Sequence, residues 1–268
     1  MEKEIKTVNL QIAGFLIKVV FDKCEWRYAK NKFSNDFTEF YKNFISKSPK
    51  KANFSCFIHI IQKKELLLNI EKNVGFIEMF KETNIRKYYF YYQFGIFQFQ
   101  FLLNKIITNL LVQKHGFNLH ASSCVINDRA TLFLGSSGAG KSTIILLLKN
   151  NFQPFADDAV YIGFKNKKYY VFQTPLLEKE INANQSTKSI LLGDVYFIKQ
   201  SHITRRIKLT DKRKIIELVA NQSLLDSNKK ELRDKIIGNI MKYVSSQTNF
   251  YTLYFTKNTP DILKEIET

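Results

Sequence analysis

The sequence predicts an α/β chain in two parts: a β-rich N-terminal region over residues 1–115, and an α/β domain over residues 116–268 built around a glycine-rich loop. Three observations predict it. Short runs of branched and aromatic residues dominate the first part. Strand-like and helix-like apolar patterns alternate in the second. Between the apolar runs 131–134 and 144–148 stands Gly135-Ser-Ser-Gly-Ala-Gly-Lys-Ser. With 268 residues, 45% of them hydrophobic, the chain can bury a sizeable core without covalent staples.

Residues 7–22 form two apolar runs around Ala13-Gly14, a hairpin pattern in which glycine supplies the turn. Strands are expected next at 54–61 and 65–70. Phe97, Phe99 and Phe101 alternate with Gln98 and Gln100, which predicts a further strand with one buried face. From 102 to 114 the spacing of Leu103, Ile106, Ile107, Leu110 and Leu111 is helical, and Gly116 marks the stop. No linker rich in Pro, Gly or Ser follows, so the change of pattern near residue 115 sets the boundary.

In the second part, strands are expected at 118–126 and 130–134, then the glycine-rich turn and a helix through Lys149. Strands at 152–157, 159–164, 169–173, 194–199 and 204–209 follow, with helices at 211–225 and 229–244. A last strand at 252–255 and a last helix at 260–266 close the chain.

Cys24, Cys56 and Cys124 lie far apart and show none of the paired spacings of metal or redox motifs, so they read as buried thiols in a reducing cytoplasm. The start, Met1-Glu-Lys-Glu-Ile-Lys, lacks the cationic then apolar order of a secretory signal. No run reaches the roughly 18 apolar residues of a spanning helix. These features predict a soluble cytoplasmic protein with no membrane partner. The formal charge of +17 is spread along the chain and carried mostly by Lys. It reads first as compositional bias, then as attraction for an acidic peptide or protein, and last as nucleic-acid binding.

Residues 135–142 match the GxxxxGK[ST] phosphate-binding pattern in full, in the strand, loop, helix order the pattern needs. Gly135, Gly138 and Gly140 let the backbone curl so that successive N–H groups, those of Ser136, Ser137 and Ala139 included, can face phosphate oxygens. Lys141 adds a point charge, and the helix that starts there adds the positive end of its dipole. Ser142, followed by Thr143, can place a hydroxyl on a Mg²⁺ ion that bridges the phosphates of ATP. Asp157-Asp158 ends the run 152–156, where acids sit at the ligand-binding edge of an open sheet. One carboxylate could hold metal and the other accept a hydroxyl proton. His120 lies on the run just before the one that feeds the loop.

The blocks Leu119-His-Ala-Ser-Ser-Cys-Val-Ile-Asn, Leu134-Gly-Ser-Ser-Gly-Ala-Gly-Lys-Ser-Thr and Phe155-Ala-Asp-Asp-Ala-Val together resemble the catalytic domain of HPr kinase/phosphorylase and its relatives. Those relatives include serine kinases of ribosomally made peptides such as lasso-peptide precursors. The resemblance covers residues 117 to about 165 well and extends loosely to about 225. It implies a phosphoenolpyruvate-carboxykinase-like P-loop fold and Mg-ATP-dependent transfer to a serine of a peptide or protein. It also implies Asp158 as general base, His120 as the active-site histidine, Lys141 and Ser142 on phosphate and Mg²⁺, and Asp157 beside the base on the metal side. The family's Glu-Val-Arg-Gly metal segment has no match. Here Pro175-Leu-Leu-Glu-Lys-Glu offers Glu178 and Glu180, and Arg205-Arg206 are candidates for a later phosphate-binding arginine. This departure points to the divergent relatives, whose acceptors vary, and leaves a homo-oligomer open. Two alternatives stand beside the serine kinase: a small-molecule kinase on the same fold, and a nucleotide sensor without catalysis.

Overall fold

Val8, Leu10 and Ile12 alternate with Thr7, Asn9 and Gln11, and this period of two buries one face of β1 (Thr7–Ile12). The computed structural model describes residues 7–24, 36–48, 50–61, 68–71, 74–77, 80–84, 86–91, 95–176, 185–223 and 230–267. Ala13 and Gly14 both take positive φ, 50° and 79°, and this two-residue turn returns the chain antiparallel into β2 (Phe15–Cys24). The expected hairpin is therefore present. β3 (Phe54–Ile61) runs parallel to β2, at the bounds its sequence predicts. β4 (Leu68–Glu71) and β5 (Val74–Ile77) form a separate antiparallel pair. Residues 65–67 of the strand expected there lie outside the described residues. β6 (Phe80–Asn84) and β7 (Lys87–Tyr91) complete a five-stranded sheet in the order β1-β2-β3-β7-β6.

The strand expected at 97–101 is instead the first part of α1 (Ile96–Gln113). Steps of three and four residues explain the difference. Phe99 shares its buried face with Leu102, Leu103 and Ile106, while Phe97 and Phe101 are 59% and 43% exposed. A strand would have put all three phenylalanines on one side. α1 ends where Gly116 predicts, although the left-handed residue is His115, with φ 61°. Gly116 N–H donates to the Leu111 carbonyl at 2.8 Å and His115 N–H to the Val112 carbonyl at 3.3 Å, a Schellman closure. A Cβ at Gly116 would strike the Ile162 carbonyl oxygen, so close approach requires the glycine.

The chain forms two units, Met1–Ile106 and Ile107–Thr268. The second unit is a nine-stranded sheet between two helical layers. Its strands are β8 (Phe117–Leu119), β9 (Ser122–Ile126), β10 (Arg129–Leu134), β11 (Gln153–Ala156), β12 (Val160–Lys165), β13 (Lys168–Gln173), β14 (Ser189–Gln200), β15 (Arg205–Lys208) and β16 (Phe250–Phe255). The order is β11-β9-β10-β14-β13-β12-β8, with β16 on β14 and β15 on β16. Its helices are α2 (Lys141–Leu148), α3 (Lys212–Ala220), α4 (Lys230–Ser246) and α5 (Thr259–Ile266). Residues 224 and 225, the end of one expected helix, and Lys229, the start of the next, lie outside the described residues. Alternation along β10 and β14 sorts the two faces. Phe133, Tyr196 and Ile198 pack with Ile144, Ile145 and Ile262 of α2 and α5. Leu132, Leu134, Val195 and Phe197 pack with Ile215, Val219 and Ile236 of α3 and α4.

The single strand expected at 118–126 is two strands in different parts of the sheet. β8 pairs with β12, whereas β9 pairs with β10 and β11. The break falls at His120-Ala121, because the His120 N–H donates at 2.7 Å to the Gln222 carbonyl instead of to a neighbouring strand. Among the described residues no helix is long and apolar enough to cross a membrane.

Candidate active site

Strand direction gathers the predicted residues. β14 runs parallel to β10, and β16 parallel to β14. β9 is antiparallel to β10 and β11 antiparallel to β9, so β11 runs with β10. The C-terminal ends of β10, β11, β14 and β16 therefore share one sheet edge with the start of β9. That edge carries the 135–142 loop, Asp157-Asp158, Lys199-Gln200 and His120, in the place where open α/β sheets take ligands.

The loop has the geometry its glycines permit. Gly138 and Gly140 have φ of 78° and 98°, the left-handed region that other residues enter at a cost. A Cβ on Gly135 would lie 2.7 Å from the Ala139 Cβ, and one on Gly140 would lie 2.8 Å from Cζ of the buried Phe255. Lys141 is buried, and its Nζ donates to the carbonyls of Gly135 at 2.8 Å and Ser136 at 3.3 Å, folding the cation across its own loop. Gln200, at the end of β14, donates from Nε2 to the Gly138 carbonyl at 3.1 Å. No side chain caps the start of α2, where Gly140 is the N-cap and Ser142 and Thr143 lie in the first turn. A glycine at the N-cap offers no side-chain oxygen to the first-turn N–H groups.

The two aspartates occupy different environments. Asp157 is 2% exposed, and the Ser122 hydroxyl donates to its backbone carbonyl and lies 3.3 Å from its Oδ1. Ser122 stands at the first position of β9, so the sheet itself fixes Asp157. Asp158 has its Oδ1 3.6 Å from His120 Nδ1, and both side chains are about one-third exposed. An ion-pair distance thus joins the histidine of one sequence block to the second aspartate of another. Adjacent in sequence, the two carboxylates have separate partners.

His120 also lines a cleft of about 750 Å³ with Gly135, Ser136 and Ser137. Lys199 and the turn at 221–223, which the sequence reading missed, line it as well. The hydrophobic pattern of β14 predicts a strand there. Its pairing beside β10, which brings Lys199 and Gln200 to the loop, is a long-range fact. Of the weaker candidates, Glu178 and Glu180 lie outside the described residues. Arg205 and Arg206 hold their guanidinium groups 4.9 Å and 5.0 Å from the ring centres of Tyr254 and Tyr251.

No protein-family model matches the chain, and no curated protein matches it. Among solved structures the chain is similar to an HPr(Ser) kinase/phosphatase from Coxiella burnetii, with 13% sequence identity and a TM-score of 0.25, over 47% of this chain and 89% of that one. That is a distant structural relationship, and the chemistry of the site rests on its own geometry.

Proposed function

We propose that the chain is a Mg-ATP-dependent kinase that transfers the γ-phosphoryl group to a serine hydroxyl of a peptide or protein. The observation that carries this reading is the meeting of the 135–142 loop with the His120–Asp158 pair at one sheet edge. A nucleotide sensor needs the loop but has no use for a carboxylate held beside a histidine next to it.

In this reading the loop N–H groups and the first turn of α2 bind the β- and γ-phosphates, and Lys141 exchanges the carbonyls of Gly135 and Ser136 for phosphate oxygens. Ser142 and Asp157 are the residues that would hold Mg²⁺. Among the described residues no group of three or more His, Cys, Asp and Glu side chains forms a ready-made metal cage. A Mg²⁺ ion carried on nucleotide phosphates needs just one or two protein oxygens, and a hydroxyl and a carboxylate are of the right kind. When bound, it neutralises charge between the β- and γ-phosphates.

Asp158 accepts the proton of the serine hydroxyl as the oxygen forms its bond to the γ-phosphorus and the bond to the β-phosphate oxygen breaks, releasing ADP. His120 orients the carboxylate from its far side. A positioned base of this kind contributes roughly 10²- to 10⁴-fold. The test is incubation with labelled Mg-ATP and the peptides encoded beside this chain's gene. Label on a peptide serine is expected, and ATP hydrolysis without transfer would reject the kinase reading.

A further inference from the structure

We infer that Gln200 is a positioning residue for the 135–142 loop, holding the peptide between Gly138 and Ala139 so that its N–H, and not its carbonyl, faces the bound phosphates. This deepens the reading above and rests on its phosphate-binding part alone. Gln200 ends β14, and Phe255, its partner across the sheet, ends β16. The Ser201 N–H donates to the Phe255 carbonyl at 2.9 Å, so the backbone that carries the glutamine is fixed in the sheet.

These two neighbours meet the loop's two left-handed glycines. Gln200 Nε2 donates to the Gly138 carbonyl at 3.1 Å, and the Phe255 ring lies against Gly140, where a Cβ would come within 2.8 Å of Cζ. Chemistry assigns the glutamine's amide, because a carbonyl can only accept and its nitrogen is the atom that can donate.

The bond matters for what stands at the other end of the same peptide. Among the described residues no peptide bond is cis, and in a trans peptide the C=O and N–H point in opposite directions. With the carbonyl turned to Gln200, the Ala139 N–H turns back into the loop and donates to the Ser136 carbonyl at 3.1 Å. Lys141 Nζ donates to that same oxygen at 3.3 Å. The loop's cation and the Ala139 N–H therefore converge on one point, and a phosphate that draws Lys141 off the carbonyl meets a second donor beside it.

Gly138 itself does little to keep the peptide this way round. Its φ is 78°, and nothing lies within 4 Å of where its Cβ would be, so neither a side chain nor packing at that position opposes a turn of the plane. Turned over, the plane would aim the Gly138 carbonyl at the phosphates, and its partial negative charge would repel them. Gln200 holds the carbonyl away.

The test compares full-length wild type with Gln200→Met, which keeps the length of the side chain and removes its donor. Calorimetry is run with Mg-ATP and with Mg-tripolyphosphate, which carries the phosphates without base or sugar. Both affinities should fall by the same factor, about 2- to 10-fold, the worth of one hydrogen bond. In the nucleotide-free protein the NMR amide signals of Ala139 and Gly140 should shift or broaden in the variant, while that of Asp158 stays in place. Gln200 is exposed, so the urea midpoint should not move, as it would if the residue served the fold alone. Unchanged affinity for both ligands would overturn the role. So would a loss confined to Mg-ATP, which would put Gln200 on the base or sugar, or a loss that comes with a lowered midpoint and unshifted loop amides. A wild type that binds neither ligand would overturn the phosphate-binding reading first, and this proposal with it. The expected loss of affinity, in a protein that labels no peptide, would reject the kinase step and leave the role of Gln200 standing.

Discussion

His120 Nδ1 stands 3.6 Å from Asp158 Oδ1, while the neighbouring Asp157 is buried against Ser122. Asp158→Asn is nearly isosteric, so it should keep the packing and remove the proton acceptor. Phosphoryl transfer is expected to fall roughly 10²- to 10⁴-fold in single-turnover measurements. Nucleotide affinity should stay near wild type, because the loop is untouched. Asp157→Asn should instead raise the Mg²⁺ concentration needed for half-maximal rate. If Asp158→Asn loses nucleotide binding and Asp157→Asn loses transfer alone, the two roles are reversed.

Lys141→Ala removes the side-chain cation that spans the loop. Its Nζ now satisfies the carbonyls of Gly135 and Ser136, so the substitution also loosens the loop itself. Calorimetry should find Mg-ATP binding lost or at least tenfold weaker, since a charge-assisted hydrogen bond contributes about 1.5–3 kcal/mol. Unchanged affinity would remove the loop from phosphate binding.

The loop was legible in the sequence because its constraints are local: each glycine sits where φ or crowding demands it, within eight positions of the same pattern. The β1–β2 hairpin was legible for the same reason. Phe97–Gln98–Phe99 misled because a period of two over five residues is also what an amphipathic helix shows at its exposed start, and the deciding residue, Ile106, lies further along. The share of Lys199 and the turn at 221–223 in the cleft was not legible at all. Lys199 reaches it through the parallel pairing of β14 with β10, and Gln222 through one backbone bond to His120, and neither leaves a trace in local pattern.

Two glycines of the loop separate conformational cost from crowding. Gly138 has φ 78° with open space where a Cβ would go, so Gly138→Ala should lower stability by about 1–2 kcal/mol from backbone strain alone. Gly140 has φ 98°, and its Cβ would press the Phe255 ring, which is 2% exposed and part of the core between α2, α5 and the sheet. Gly140→Ala should be worse by roughly 1–3 kcal/mol. Urea midpoints of the two variants give the comparison, and equal midpoints would show that Phe255 yields freely.

Burial pushes the thiols of Cys56 and Cys124 up to about 12. In the unfolded chain a thiol ionises near its ordinary value of about 8.5. Below that pH both states hold the proton, and the contribution to stability is fully present. Above it the unfolded chain releases protons that the folded chain keeps, so stability falls as pH rises from about 8.5 towards 12. By pH 10 the loss is on the order of 2 kcal/mol per thiol. Burial also holds the phenols of Tyr161 and Tyr243 above their ordinary range, and these steepen the fall above about pH 10. Comparing wild type with Cys124→Ala isolates the thiol: urea midpoints between pH 7 and 10 should fall less steeply in the variant. A thiol reagent at pH 8, with labelled sites mapped by mass, should spare Cys56 and Cys124 in the folded protein. Rapid labelling of Cys124 under native conditions would show that the sheet around β9 opens far more readily than its burial implies.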